Sequence, residues 1–478
     1  MDAAHSVPIP NPWMILPFGL LLGTIALGPL VAANWWSKHY PKVSVLLGSI
    51  TVLYYLLGLQ AGHAVLETAE EYIKFVALVG SLYVVSGGIH IKVRGEGTPG
   101  ANVVFLGIGA IIANVLGTTG ASMLLIRPWI RFNKYRVTQH HIVFFIFIVS
   151  NVGGCLTPIG DPPLFLGYLK GVPFWWVAEH CWPMWLVGVA MLLGFFYIVD
   201  TINYRKAPKP VRETQAESTD WWQFEGGINL FWLAVLLGSV FINKPLFLRE
   251  ALMLGAAVGS YYTTPRRLHQ ANDFNFHPVQ EVAILFVGIF ATMMPALHWL
   301  QQNASTLGTP TPSFFYWGSG LLSSVLDNAP TYLSFLSAIF GAFINKDLVQ
   351  QVQHLVETGG ADLSTYVQGP HAEQVKATFA ALQKYHPAEL AAKTVTAEQI
   401  DIAFLLGNAS YNLFLMAISV GAVFFGACTY IGNGPNFMVK AIAEQQKVHT
   451  PTFLSYVFRF SLPFMLPMLV AIWLLFFR

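Results

Sequence analysis

Eight apolar runs of bilayer-spanning length set what this chain can fold into, at roughly 13–33, 43–61, 73–91, 181–201, 227–243, 248–264, 278–298 and 452–477. A spanning helix needs about 20 mostly apolar residues. In hydrocarbon every backbone N–H and C=O must find a partner within the protein. Runs of this length therefore predict an all-α polytopic membrane protein, with the lipid bilayer as its main partner. The composition agrees: 10% of residues are charged, against about 25% in soluble domains. The net charge of +2 says nothing about nucleic acid, no basic run points to it, and no nucleic-acid partner is expected. Cys155, Cys181 and Cys428 lack metal-ligand spacing and read as packing residues. The N-terminal MDAAHSVPIPNPW has no basic leader region, so the first apolar run is expected to be a retained span.

Four further apolar regions are broken internally: about 101–130, 139–177, 311–345 and 401–446. They come in pairs. TPIGDPPLF at 157–165 matches TYIGNGPNF at 429–437, NVLGTTGASMLLI at 114–126 matches SVLDNAPTYLSFL at 324–336, and Val79-Gly80 to His90 matches Val287-Gly288 to His298. The offsets are 272, 210 and 208, in one order, with the polar insert 346–400 accounting for most of the jump. The chain thus reads as a repeat over 1–201, a cytoplasmic linker over 202–226 and a second repeat over 227–478. Each repeat has three helices, a re-entrant hairpin, a broken helix and a final helix. Five crossings per repeat give the halves opposite orientation. With the N-terminus outside, the inner loops collect Lys38, Lys42, Lys92, Arg94, Arg127, Arg131, Lys134, Arg136, Arg205, Lys206, Lys209, Arg212, Arg266, Arg267, Lys440 and Lys447, as the positive-inside rule requires. The expected location is the plasma (inner) membrane, with both termini on the outer, periplasmic side.

Inverted repeats with paired discontinuous helices are the mark of secondary transporters, in which irregular backbone lines a site near the middle of the membrane. The linkers TPIGDPPLF and TYIGNGPNF supply Thr157, Gly160, Asp161, Thr429, Gly432, Asn433 and Asn436. The hairpin tips supply Thr118, Thr119, Ser122, Asp327, Asn328 and Thr331, and Asn151 precedes the first linker. A carboxylate at membrane depth is a functional-site candidate by default, which singles out Asp161 and Asp327; either can also cap a half-helix. A second tier comprises Ser150, the trio Asn408, Ser410 and Asn412 on one face of the helix before the second linker, and the symmetry-related His90 and His298, which could serve structure, gating or pH sensing.

The order of hairpin and broken helix, repeated in inverted form, with SNVGGCLTPIGDPP and LDNAPT as signatures, resembles the ion transporter superfamily. The nearest branch is the citrate-transporter-like one that shades into NhaD-type sodium/proton antiporters. The resemblance covers nearly the whole chain except 346–400. It implies a homodimer-forming scaffold, a mobile transport domain with elevator-type motion, and two cation sites. The first site would use Thr118 to Ser122 with Thr157 to Asp161, the second Asp327 to Thr331 with Thr429 to Asn436. Dicarboxylate transporters of the superfamily carry Ser-Asn-Thr at both tips; GTTGAS and DNAPT depart from that.

Two carboxylates that hold either a cation or a proton are the minimum chemistry of an antiporter, with sodium expected on Asp161 and Asp327. No Lys or Arg stands at either tip or linker to meet a di- or tricarboxylate. Arg127 is the nearest and reads as an interfacial anchor. The expected function is a sodium (or lithium)/proton antiporter without cofactor; the alternative is sodium-coupled symport of citrate or another carboxylate anion. No Walker loop, nucleophile elbow or metal-ligand pair points to an enzyme.

Overall fold

In a computed structural model, described over residues 9–92, 97–206, 223–242, 245, 247–303, 310–359 and 371–478, the chain is almost entirely helical. Arg94, Lys209 and Arg212 of the inner-loop set lie outside the described residues, as do 207–222 of the expected linker and 360–370 of the insert. The helices are α1 Leu16–Val31, α2 Ala33–Leu53, α3 Gly62–Gly87, α4 Pro99–Phe132, α5 Gln139–Ile148, α6 Pro162–Leu169, α7 Trp176–Lys206, α8 Ile228–Ser239, α9 Leu248–Thr263, α10 Arg266–Ala271, α11 His277–Asn303, α12 Pro312–Val325, α13 Asn328–Phe343, α14 Lys346–Thr358, α15 Ala372–Tyr385, α16 Pro387–Ala391, α17 Ala397–Gly407, α18 Ala409–Phe425, α19 Gly434–Gln445 and α20 Phe453–Phe476. Among the described residues seven helices are long and apolar enough to cross a bilayer. One short antiparallel pair, β1 His90–Lys92 with β2 Gln223–Glu225, ties the end of α3 to the approach to α8.

Two of the expected apolar boundaries move. The first run ends in a bend at Ala32, where α1 gives way to α2, so the second span begins about ten residues earlier than its apolar stretch. The region 401–446 is broken twice, at Gly407–Asn408 and again at 426–433.

The length of α4 is deceptive. Thirty-four residues of straight helix would span about 50 Å. Yet Asn102 and Asn133 exchange side-chain hydrogen bonds of 2.8 and 3.0 Å, and Phe105 packs on Trp129 at 5.2 Å between ring centroids. The helix therefore folds back on itself, and the turn is at Gly117 (φ 73°, ψ 155°). That region of φ/ψ is open essentially to glycine alone, and a Cβ there would also stand 3.1 Å from the Ile159 carbonyl oxygen. Gly117→Ala is accordingly expected to lower stability by about 1–3 kcal/mol, read as a drop in the apparent unfolding midpoint of the purified protein. An unchanged midpoint would show that the turn lies elsewhere. In the second half α12 and α13 make the matching hairpin around Leu326-Asp327, with Phe315 against Phe335.

Two groups of helices result. α1, α2, α3, α8, α9 and α11 pack on one another, and the hairpins, α5, α6, α7, α18, α19 and α20 pack on one another. The groups meet where α3 touches α4 and α6 and where α11 touches α13. Phe75, Leu78 and Leu82 of α3 and Phe286, Ile289 and Phe290 of α11 are buried there, so the boundary is largely apolar.

Candidate functional site

The two linkers are built alike. α5 ends at Ile148, and after a short 3-10 turn the chain passes through a series of turns to Asp161, which stands at the N-cap of α6. α18 ends at Phe425, a 3-10 turn follows, and Asn433 is the N-cap of α19. Each hairpin tip is tied to its own linker by the same bonds. Thr157 Oγ1 donates to Asn114 O and Thr429 Oγ1 to Ser324 O, both at 2.6 Å. The Gly160 and Gly432 N–H groups donate to those same hydroxyls at 3.0 and 3.1 Å. These pairs stand at the offsets that relate the sequence motifs, so the duplication extends to individual hydrogen bonds.

An N-cap side chain ordinarily accepts from the backbone N–H two or three positions on. Pro162-Pro163 removes the first two donors after Asp161, and Gly434-Pro435 removes the second after Asn433. Neither side chain caps its helix. Both point instead to the middle, where the four broken elements converge. Asp161 Oδ1 accepts from Thr118 Oγ1 (2.7 Å) and Asn433 Nδ2 (3.1 Å), and Oδ2 accepts from Asn328 Nδ2 (2.6 Å). Thr118 and Asn328 hold the same position in the two repeats. Asp161, Thr118, Asn328 and Asn433 are buried. Three hydrogen bonds thus satisfy the Asp161 carboxyl group although it lies away from water.

Around this centre Ser122 meets Ser150 hydroxyl to hydroxyl at 2.7 Å, and Asn151 Nδ2 donates to Asn436 Oδ1 at 2.7 Å. Asn433 Nδ2 also lies within 3.1 Å of Asn151 Oδ1. Asn436 Nδ2 donates back to Gly426 O and Thr429 O. Gly160 closes on the first hairpin through its carbonyl, which accepts the Thr118 N–H at 2.7 Å.

Asp327 behaves differently. It caps α13, accepting the Ala329 N–H at 3.1 Å, and is only half-buried. With Thr119 and Asn433 it lines a cavity closed on the far side by Phe75, Val79 and Phe286 of the other helix group. A second cavity against α3 is lined by Gly117, Thr118, Thr119 and Gly160. Thr331 bonds back to Asp327 O within the helix.

The remaining second-tier residues lie away from this centre. Asn408, Ser410 and Asn412 sit at the far end of α18, where Asn408 bonds to Phe404 O and Ser410 is exposed. His90 bonds to Asn272 and His298 to Tyr55, both at 2.7 Å. Cys155 and Cys181 are buried and Cys428 half-buried, all with free thiols.

Two features carry more than the sequence reading assigned them. Asn114, inside the repeated NVLG, stitches hairpin to linker by donating to Gly153 O and accepting the Leu156 N–H. Its signal was an amide inside an otherwise apolar arm. The other is a buried cluster at the base of the first hairpin, where Asp200 meets Arg136, His140, His141 and Asn102. A carboxylate at the end of an apolar run was its signal. The two histidines and Asp200 are close enough together to hold a metal ion, yet the Thr138 N–H donates to His141 Nδ1 at 3.2 Å. That fixes the proton on Nε2, the atom facing Asp200, and Arg136 already neutralises the carboxylate, so the trio does not suit a metal.

One buried carboxylate, that of Asp161, thus joins the two folded-back hairpins and the two unwound linkers. No curated protein matches the chain by sequence. A family described as "Putative citrate transport" matches residues 8–477, and over that length the chain belongs to this citrate-transporter-like family of ion transporters.

Proposed function

We propose that the chain is a sodium (or lithium)/proton antiporter working by elevator-type alternating access. The observation that carries this reading is the bidentate capture of Asp161 by both hairpin tips. The place where the two repeats converge already holds a carboxylate, and among the residues lining the two adjoining cavities there is no Lys or Arg for an anionic substrate. An uncompensated charge at membrane depth costs several kcal/mol. A group of helices carrying Asp161 and Asp327 therefore crosses readily only when each carboxylate is neutralised, by a cation or by a proton. Exchange follows: a cation carried one way is replaced by a proton for the return.

The hairpins re-enter from opposite faces, the repeats are inverted, and both termini face outside. The α1–α3, α8, α9 and α11 group serves as the scaffold and homodimer contact. The apolar boundary with α3 and α11 is the sliding surface. Lys170, at the end of α6, spans it by pairing with Glu71 of α3 at 2.5 Å, a contact that breaks as the transport domain moves. The second reading is sodium-coupled symport of citrate, favoured by the family's description.

Purified protein in liposomes with a trapped pH dye decides between them. Sodium and lithium, but not potassium, are expected to drive proton movement with no carboxylate present. A dye that stays silent until citrate is added, with labelled citrate accumulating on a sodium gradient, would replace the antiporter by the symporter.

A further inference from the structure

The three donors that hold Asp161 have a ligand preference of their own. Thr118 comes from the first hairpin, Asn328 from the second and Asn433 from the second linker, and all three aim hydrogens at one point. A carboxylate is acceptor-only, with two oxygens and about four lone-pair directions. Three convergent neutral donors, two on one oxygen and one on the other, are its complement. In this arrangement they present hydrogens, and a hard cation at Asp161 would require the Thr118 hydroxyl and the amides to turn their oxygen lone pairs toward it. Asn328 shows how far this is enforced: its amide donates to Asp161 while its own Oδ1, buried, has no hydrogen-bond partner among the described residues. An unpaired buried carbonyl is costly, and the orientation persists because the carboxylate requires the N–H.

We propose that Thr118, Asn328 and Asn433 form a carboxylate cradle that Asp161 fills from within the chain, so that Asp161 is the residue that excludes free carboxylate anions from the centre. The tether makes the exclusion effective. A group fixed at the N-cap of α6 competes at an effective concentration that a dissolved anion must exceed, and the site is closed on both sides by hairpin tips. The inference deepens the antiport reading and rests on it only for the consequence in transport; the cradle itself can be tested without any flux.

Asp161→Gly empties the cradle and leaves the donors in place. In detergent, the unfolding midpoint of this variant is expected to rise saturably, by several degrees, with formate and less with acetate, relative to equal chloride. Wild type is expected not to respond, and neither is Asp161→Gly/Asn328→Leu, which lacks one donor. No formate-specific shift in the folded glycine variant, or an equal shift in wild type, overturns the cradle. Should the glycine variant be recovered aggregated, it and Asp161→Ser are purified in formate. Recovery of a monodisperse peak by formate and not chloride supports the cradle, and failure with both variants overturns it. A formate shift in the glycine variant together with wild-type liposomes lacking sodium-driven exchange would leave the cradle standing and remove the antiporter. The reverse pattern would remove the cradle alone.

Discussion

Asp161→Asn is expected to reduce sodium-driven proton exchange to the rate of empty liposomes. Asparagine keeps the size of the side chain and loses the ability to hold a proton or neutralise a cation, so the competition that couples the two ions disappears. The substitution also turns one of the two oxygens into an NH2 group, which faces Thr118 and Asn433 in one orientation and Asn328 in the other. Thr118 can reverse its hydroxyl; in either orientation one amide is left donor to donor. A buried donor left unpaired costs about 1–3 kcal/mol, so the apparent unfolding midpoint should fall as well. Asp327→Asn separates the two effects. Asparagine caps a helix about as well as aspartate, so the Ala329 N–H keeps its partner and the midpoint should hold while exchange is lost. Exchange that survives in Asp327→Asn would confine the chemistry to Asp161. Exchange that survives in Asp161→Asn would reduce that residue to a structural link.

How much of this was legible in the sequence follows from what each feature depends on. The apolar runs, the duplicated breaks and the residues at each break are local, and TPIGDPPLF and TYIGNGPNF together named both linkers. Asp161 stood out because a carboxylate at membrane depth is rare for a physical reason. Its partners were named as well, but the pairing was not. The resemblance assigns Thr118 with Asp161 to one site and Asn328 with Asn433 to another, whereas the folded chain brings Thr118, Asn328 and Asn433 together onto the Asp161 carboxylate. Nothing local encodes that crossing, because it depends on how two halves about 210 to 272 residues apart in sequence meet. The division of labour between the aspartates was hidden in the prolines: both side chains stand at N-caps, but the second position on is Pro163 after Asp161 and Ala329, whose N–H is capped, after Asp327. The Asp200 cluster was missed because its members are single polar residues at the edges of apolar segments, each unremarked alone.

That cluster carries the largest expected effect on stability. Arg136 and Asp200 are buried side by side; Nη1 and Nη2 both face the carboxylate, with Nη2 to Oδ2 at 2.9 Å. Asn102, His140 and His141 donate to the same two oxygens within 3.1 Å, and Arg136 Nε donates to Gly97 O at 3.0 Å. Asn102 and Asn133 belong to the two ends of α4, so the cluster closes the base of the first hairpin onto α7. Asp200→Asn leaves the guanidinium buried without a counter-charge, and breaking a buried pair from one side costs about 3–5 kcal/mol. Arg136→Met should cost a similar amount by stranding Asp200. The double variant Arg136→Met/Asp200→Asn removes both charges and keeps an amide oxygen for the neighbouring donors, and removing a buried pair from both sides leaves no unpaired charge. The apparent unfolding midpoint of the double variant should therefore lie above that of either single variant, a coupling that only contacting groups produce. Strictly additive midpoints would mean that Asp200 is neutralised by something other than Arg136. Because the hairpin tip holding Thr118 is positioned from this base, the single variants should also lose exchange in proportion to the fraction unfolded, whereas a folded double variant should retain it.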